Sequence, residues 1–547
     1  MFLARSTCAL RGSGPQQTIL NEKATIDFDI QIGSTTLNFA NAVAITGGTQ
    51  QGSTQISVSS TAGMTVGGYL LISQLNDGMI VSTVGTGGNC NWCDGSWTSN
   101  GSRSQQQIAE IQAIPSSTTV VFSPGLFTNY TLTPLAVPYA AAVKYAGVEN
   151  LQIYANNTHT QSKSNILITH CAYCWVSNVE SNFADGNHID MDRCFRCQVS
   201  DSYFWGVYGS APGNYDHGMT IEYGTTLSLI QNNIWDRAGI IEPEYGPAGN
   251  VVAYNYRTRW YRAEVVSLLP GDIETHGAHP QYNLYEGNQV NKMYPDSYWG
   301  SSANETYFRN WANGAGLTCN PATASRGTVV CTPIGPPPPS SSNGWYQTEA
   351  VRIFEVEFAD SSYNFVGNVI GSNLANTLTV YGNGTTLMGH VALIVAPTIR
   401  TYNSTIYGFS FGYSGEGDDG TNPQDNARSY TTALIHGVYN HLDGSITWAP
   451  GVTPTLPPSL YLSSRPAWFT TPWGTPPWPP IGPDVTGGVD ASGHAYLIPA
   501  ALCYNHTPVN PDGSLMFNAT SCYGNTQPPQ PVPPTYLYPG RNAPGWL

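Results

Sequence analysis

IEYGTTLSLIQNNIWDRAGIIEPEYGPAGNVVAYNY, residues 221–256, carries one short pattern twice. Glu222-Tyr223-Gly224 and Glu244-Tyr245-Gly246 are offset by 22 residues, and an Asn stands eleven residues after each Glu, at Asn233 and Asn255. The Asn position recurs at Asn288, Asn310 and Asn368, within YEGN, FRN and VGN. Upstream, CAYCWVSN (Cys171 to Asn178) and CFRCQVSD (Cys194 to Asp201) repeat with an offset of 23. Self-similarity at such a period marks stacked coils, each of which buries its apolar face only against its neighbours.

Composition agrees. In 547 residues only 10% are charged, while Gly (57), Pro (40), Tyr (33) and Trp (14) are heavily used, which disfavours amphipathic helices and favours strands joined by tight turns. The chain reads as all-β, and an elongated repeat accounts for a length beyond that of one compact domain. A net charge of −15 without any basic cluster argues against nucleic acid and against an anionic membrane surface. It also disfavours polyanionic glycans unless a cation intervenes, so neutral sugars or cation-bridged uronates are the expected partners.

Eleven widely spaced cysteines suit an oxidising compartment, with Cys319/Cys331 and Cys503/Cys522 as loop-closing pairs and at least one cysteine left over. No apolar run has the length of a membrane span, so no membrane insertion is expected. Met1 to Leu10 lacks the apolar core of a signal peptide, which leaves the natural N-terminus open; a secreted or cell-surface location is inferred from the cysteines and composition.

Three regions are expected. Residues 1–140 alternate Thr/Val/Ser runs with Gly-rich turns and read as a small N-terminal β-module, in which CNWC (Cys90, Cys93) is a local disulfide or turn staple. Residues 141–445 hold the repeats, interrupted by a loop insertion, IGPPPPSSSNG, at 334–344. Residues 446–547 form a Pro/Trp-rich extension whose prolines forbid central strands and which lies along the coils, carrying the Cys503/Cys522 pair.

Over roughly 147–440, the 22–23-residue coils with short apolar-alternating strands and an Asn at a turn resemble the right-handed parallel β-helix of the pectate-lyase-like superfamily. The resemblance implies that the Asn column is structural, its side chains hydrogen-bonding along the axis. It also implies a family of polysaccharide lyases, hydrolases, epimerases, esterases and non-catalytic phage or surface modules. It does not choose among them. The polygalacturonase combination of Asn-Thr-Asp with Gly-His-Gly is missing, as is a lyase Arg or Lys base within a basic strand. In such coils, positions one repeat apart lie about 4.8 Å apart. Cys171 with Cys194 and Cys174 with Cys197 then form either two cross-coil disulfides or a buried thiol ladder. The spacing also fits a zinc ribbon, which would need a hairpin pair of knuckles instead of stacked coils.

The Asn column sets a register that puts Glu222 and Glu244 at one position of consecutive coils, with Glu357 further along and Asp192 upstream. Strand alternation turns Ile189, Met191, Met219 and Ile221 inward and Asp190, Asp192 and Glu222 outward, with Glu242 beside Glu244. Carboxylates stacked at strand spacing repel, so their pKa values rise or a cation binds between them, unless Arg193, Arg237 or Arg257 compensates.

This set, Asp190, Asp192, Glu222, Glu242 and Glu244, is the candidate source of the acid and base of a glycoside hydrolase, with Asp216 and His217 on a neighbouring loop as additional acid/base candidates. Trp205, Tyr223, Tyr245, Trp260 and Trp299 are candidates for stacking on sugar rings. His276, in DIETHGAHP with His279, adds a substrate-binding candidate or a metal ligand. No cofactor is required on this reading, although Ca2+ fits the acidic face. The alternatives are a Ca2+-dependent polysaccharide lyase and a non-catalytic glycan-binding adhesin or surface fibre.

Overall fold

The computed structural model describes residues 1–22, 28–34, 37–78, 84–85, 87–155, 164–184, 186–207, 217–260, 269–314, 317–318, 345–346, 352–372, 407–413, 428–441, 444–489 and 493–524. Asp216, the Cys319/Cys331 pair and the proline run at 334–344 lie outside them.

Nearly all regular structure is β. One sheet stacks ten strands in parallel and in chain order: β1 (Phe2–Leu3), β2 (Phe28–Ile32), β3 (Ser164–Thr169), β4 (Ile189–Asp192), β5 (His217–Glu222), β6 (Ile240–Glu244), β7 (Ile273–Thr275), β8 (Met293–Pro295), β9 (Arg352–Glu357) and β10 (Tyr407–Tyr413). A second sheet takes two further short strands from each coil. Leu229–Gln231 and Ile234–Asp236, for example, pair in parallel with Val251–Ala253 and Tyr256–Thr258. The apolar interior between the sheets holds Ile189, Met191, Met219, Ile221, Ile241 and Ile273, so alternation within the strands is as the sequence implies.

The bend between the paired short strands is where the Asn column stands. Asn255 Oδ1 accepts from Asn233 N at 3.2 Å and from its Nδ2 at 3.0 Å, while Asn255 Nδ2 donates to Ile230 O at 3.0 Å. The same linkage runs from Asn255 to Asn288, to Asn310 and to Asn368. All five residues are buried, so each side chain satisfies backbone groups that the bend removes from the ladder. A second ladder runs Ser228, Asn250, Asn283 and Glu305. Of the two arrangements open to the Cys repeat, the structure has the thiol ladder: Cys171, Cys174, Cys194 and Cys197 are free and buried in the core.

The expected module at 1–140 is smaller than its boundaries. Ala9–Arg11 and Ile19–Glu22 pair in parallel with Gly147–Ala155, and β2 pairs with β3, so the first residues already form a coil. Between this coil and the next, six antiparallel strands from Val43–Gly47 to Leu135–Tyr139 close a barrel. It packs on the coils through Tyr69, Leu71, Ile108 and Val137 against Ala172, Tyr173 and Phe195. Cys90 and Cys93 form a local disulfide within it.

The C-terminal extension lies along the second sheet. Phe469, Ile481, Ile498 and Phe517 cover Tyr203, Trp205 and Tyr254, and Arg309 holds Asp484 at 2.7 Å. The Cys503–Cys522 disulfide joins two short helices, Pro499–His506 and Ala519–Tyr523. No described helix is long and apolar enough to cross a membrane.

Replacing Asn255 by Ala strands the Asn233 N–H and the Ile230 carbonyl in the interior. The expected cost is about 2–4 kcal/mol, from two buried groups left unsatisfied, measured by urea unfolding; a loss under about 0.5 kcal/mol would rule out a structural role for the column.

Candidate functional site

The Glu-Tyr-Gly repeat is a corner. Each Glu ends a strand, the Tyr takes a left-handed conformation (φ 48° at Tyr223, 57° at Tyr245), and the Gly follows at φ 80° or 88°. The glycine has a further reason: a Cβ on Gly246 would lie 2.1 Å from Ser104 O of the barrel, and one on Gly224 2.9 Å from Leu71 Cδ1. The corners are therefore where the barrel backbone meets the coils, and the strand ends lie beneath it.

Register gives two outward columns. Asp192, Glu222 and Glu244 are direct partners, and Glu244 bridges to His276. Asp190, Thr220 and Glu242 form the other, continued by Glu274 through the pairing of Ile241 with Ile273. These residues point away from the core; Glu242 and Glu244 are only 1% and 3% exposed, whereas Asp190, Asp192 and Glu222 are half-buried.

A cleft of about 290 Å³ opens over the columns, lined by Asp190, His217, Thr220, Glu222 and Glu244 on its floor. Tyr223, Tyr245 and Trp92 supply its aromatic wall, with Ser164, Gly186 and Asn187 opposite. Tyr223 and Tyr245 stack at 5.6 Å between centroids, and Trp92 meets Tyr245 edge-on at 6.4 Å. The structure thus brings together six of the residues expected from sequence: Asp190, His217, Glu222, Tyr223, Glu244 and Tyr245.

The other expected residues stand elsewhere. Asp192 lies beside the cleft, accepting from Arg193 Nη1 and Thr169 Oγ1, both at 3.0 Å. Glu242 lies behind it, 2.6 Å from His217 Nδ1 and 3.8 Å from His276 Nδ1. His276 is itself held by Asp296 at 2.7 Å. Trp299 packs on Trp92 at 4.9 Å and supports the wall from outside.

Two of the expected stacking residues are corrected. Trp205 and Trp260 are each 1% exposed. Trp205 is packed on Phe183 at 4.7 Å within the cluster covered by the C-terminal extension, so neither indole offers a face to a sugar. Of the arginines considered as partners, only Arg193 pairs with a column acid; Arg257 pairs with Asp272 at 3.2 Å, and Arg237 lies over the Trp205 ring.

Trp92, Asn187 and Thr220 were not singled out in the sequence. Trp92 sits between the two cysteines of CNWC, far in sequence from Asp190, Glu222 and Glu244, and no periodicity links them. Asn187 Nδ2 donates to Thr220 Oγ1, which donates to Asp190 Oδ1, both at 3.1 Å.

The electrostatics follow from burial. Removal from water, reinforced by the charge of Asp192, pushes the Asp190 carboxyl up to about 7. Glu222 is driven well above the usual carboxylate range by burial and then by Asp190 and Glu244. Glu244 is raised by burial and by Glu242. Burial alone would depress His276, but Asp296 and Glu242 outweigh it and hold the imidazole well above its ordinary value.

No protein-family model and no curated protein matches the sequence. Among the solved structures it is similar to are three phage tailspikes. Tailspike gp49 of Pseudomonas phage LKA1 is 13% identical at a TM-score of 0.40, over 68% of this chain and 53% of its own. Tailspike gp61 of Pseudomonas phage phi297 is 10% identical at 0.38, over 68% of this chain and 59% of its own. The Gp54 tailspike of Acinetobacter baumannii bacteriophage AP22, solved with capsular saccharide, is 11% identical at 0.24, over 80% and 70%. The chain spans little more than half the length of the first two, and likenesses this distant carry no inference about function.

Because Asp190 binds its proton more tightly folded than unfolded, stability attached to it is fully present below its unfolded pKa near 4 and is lost as pH rises through about 7. Asp190→Asn removes that loss. The variant is expected to melt higher than wild type at pH 8, with the gap closing by pH 4; an equal difference at both pH values would contradict the assignment.

Proposed function

We propose that the chain is a right-handed parallel β-helix, secreted or displayed on a surface, that hydrolyses a polysaccharide in the cleft under the barrel. The observation that carries this reading is the pair Asp190 and Glu222, two carboxyl groups on the floor of one cleft beneath an aromatic wall. Their environments separate their proton affinities, the condition under which one carboxyl serves as acid and its neighbour as base. Glu222, the more strongly raised, protonates the glycosidic oxygen. Asp190, charged above about pH 7, takes a proton from the water that attacks the anomeric carbon.

Asp190 is opposite Thr220, two residues before Glu222 on the next strand. Strand geometry puts the two Cα positions about 8 Å apart on that diagonal. Tyr223, Tyr245 and Trp92 offer ring faces and edges to sugars, and Asn187 and Ser164 offer hydrogen bonds. The disulfides among the described residues, Cys90–Cys93 and Cys503–Cys522, fit an extracellular setting, and a net charge of −15 fits a neutral or cation-bridged glycan.

A screen of neutral and uronic polysaccharides is expected to yield new reducing ends without the ultraviolet absorbance of unsaturated products. Asp190→Asn and Glu222→Gln should each lower kcat by about 100-fold or more while keeping the wild-type circular dichroism spectrum. The acid limb of the wild-type pH profile should centre near 7. Absorbance in place of reducing ends would point to a lyase, and full activity in either variant would overturn the assignment.

A further inference from the structure

Behind the acid pair lies a constellation that this reading does not use. His217, Glu242 and Glu244 offer three ligand atoms that all lie within 4.8 Å of one another. They do so because of a local irregularity. The register between β5 and β6 slips between His217 and Met219, so His217 is displaced onto the row of Glu242. Gly218 permits the slip, since a Cβ there would stand 2.2 Å from Ala238 O. The imidazole comes to 2.6 Å from Glu242 Oε2.

The acids here are deeply buried, with the Glu242 side chain 1% exposed. Glu244 is 97% enclosed, and among the described residues its buried Oε2 meets no N–H or hydroxyl donor, leaving the carboxyl of Glu222 as its neighbour. A buried carboxylate oxygen without a donor is costly unless a cation satisfies it. The cationic groups facing the cluster are His217 and His276, the latter shared with Asp296.

We propose that His217, Glu242 and Glu244 bind a divalent cation of the borderline class typified by Zn2+. One imidazole and two carboxylates make a three-ligand set of the kind that leaves a coordination position open. His217 and Glu244 also line the cleft, so that position faces the space a substrate would enter. Ca2+, which seeks six to eight oxygen ligands, is poorly served by a set containing an imidazole. Asp296 lies 2.7 Å from His276 Nδ1, the same ring nitrogen that stands 3.8 Å from Glu242 Oε1. Glu242 belongs as well to a deeper group with Glu274 and His276. The proposal places the ion on the cleft side and leaves Glu274 outside its shell.

The test is equilibrium dialysis of the full chain against Zn2+, with metal content by mass spectrometry and Co2+ substitution followed by visible absorption. One Zn2+ per chain is expected, unaffected by an excess of Ca2+. His217→Ala and Glu244→Gln should each weaken binding by more than about 100-fold, whereas Glu274→Gln, a neighbour of Glu242 outside the shell, should weaken it by no more than the roughly 10- to 100-fold of an outer-shell change. His217 is 19% exposed at its side chain, so His217→Ala should fold, which a melting curve verifies. Failure of the wild type to take up Zn2+, displacement by Ca2+, or binding that survives both substitutions would overturn the proposal. Dialysis uses no substrate, so its outcome is independent of whether Asp190 and Glu222 hydrolyse a glycan.

Discussion

Stacking parallel strands one coil apart brings every residue within about 4.8 Å of its counterparts above and below, and the consequence depends on the side chain that is repeated. A column of Asn gains, because each amide both donates and accepts, and the run from Asn233 to Asn368 turns that into a chain of bonds through the bend. A column of aromatic rings gains through stacking, as with Tyr285 on Tyr307 at 4.5 Å. A column of carboxylates loses, since like charges meet at strand spacing. The acids at Asp192, Glu222 and Glu244 are thus a repeated feature that the fold works against.

The barrel makes that conflict sharper. By approaching the corners at Gly224 and Gly246 it takes the acids out of bulk water, and the cost appears as carboxyl groups that hold their protons toward neutral pH. The relief comes from particular neighbours. Arg193 takes Asp192, Thr220 donates to Asp190, and His217 comes to Glu242 through a bulge. Each acid therefore has its own surroundings, although the repeat alone would have made them equivalent. Differentiated carboxyl groups are what acid/base chemistry requires.

Most of the coil architecture is legible in the sequence, because its signals are periodic. The Asn column, the inward Ile and Met residues and the row of acids follow from a spacing of 22 and from strand alternation. What escapes is what the period does not reach. Ala9–Arg11, Ile19–Glu22 and β2 belong to the first coil, yet their partners in Gly147–Ala155 and β3 lie beyond the whole barrel. Trp92 joins the cleft through a tertiary contact between barrel and coils that no local pattern announces. Trp205 and Trp260 look like surface aromatics in sequence, but what covers Trp205 is a segment some 250 residues further on, and composition gives no hint of where an extension will lie.

The chain leaves the coils after β2, closes a barrel between Val43 and Tyr139, and returns to continue the same stack at Val143 and β3. The stack's hydrogen bonding passes directly from β2 to β3, so the ladder does not run through the barrel at all. The barrel is a hood fixed over the acids by side-chain packing and by contacts such as Ile108 N to Thr226 Oγ1 at 2.8 Å. A scaffold built this way divides the labour: the coils hold the spacing of the carboxyl groups, while the inserted hood, which supplies Trp92, shapes the opening above them.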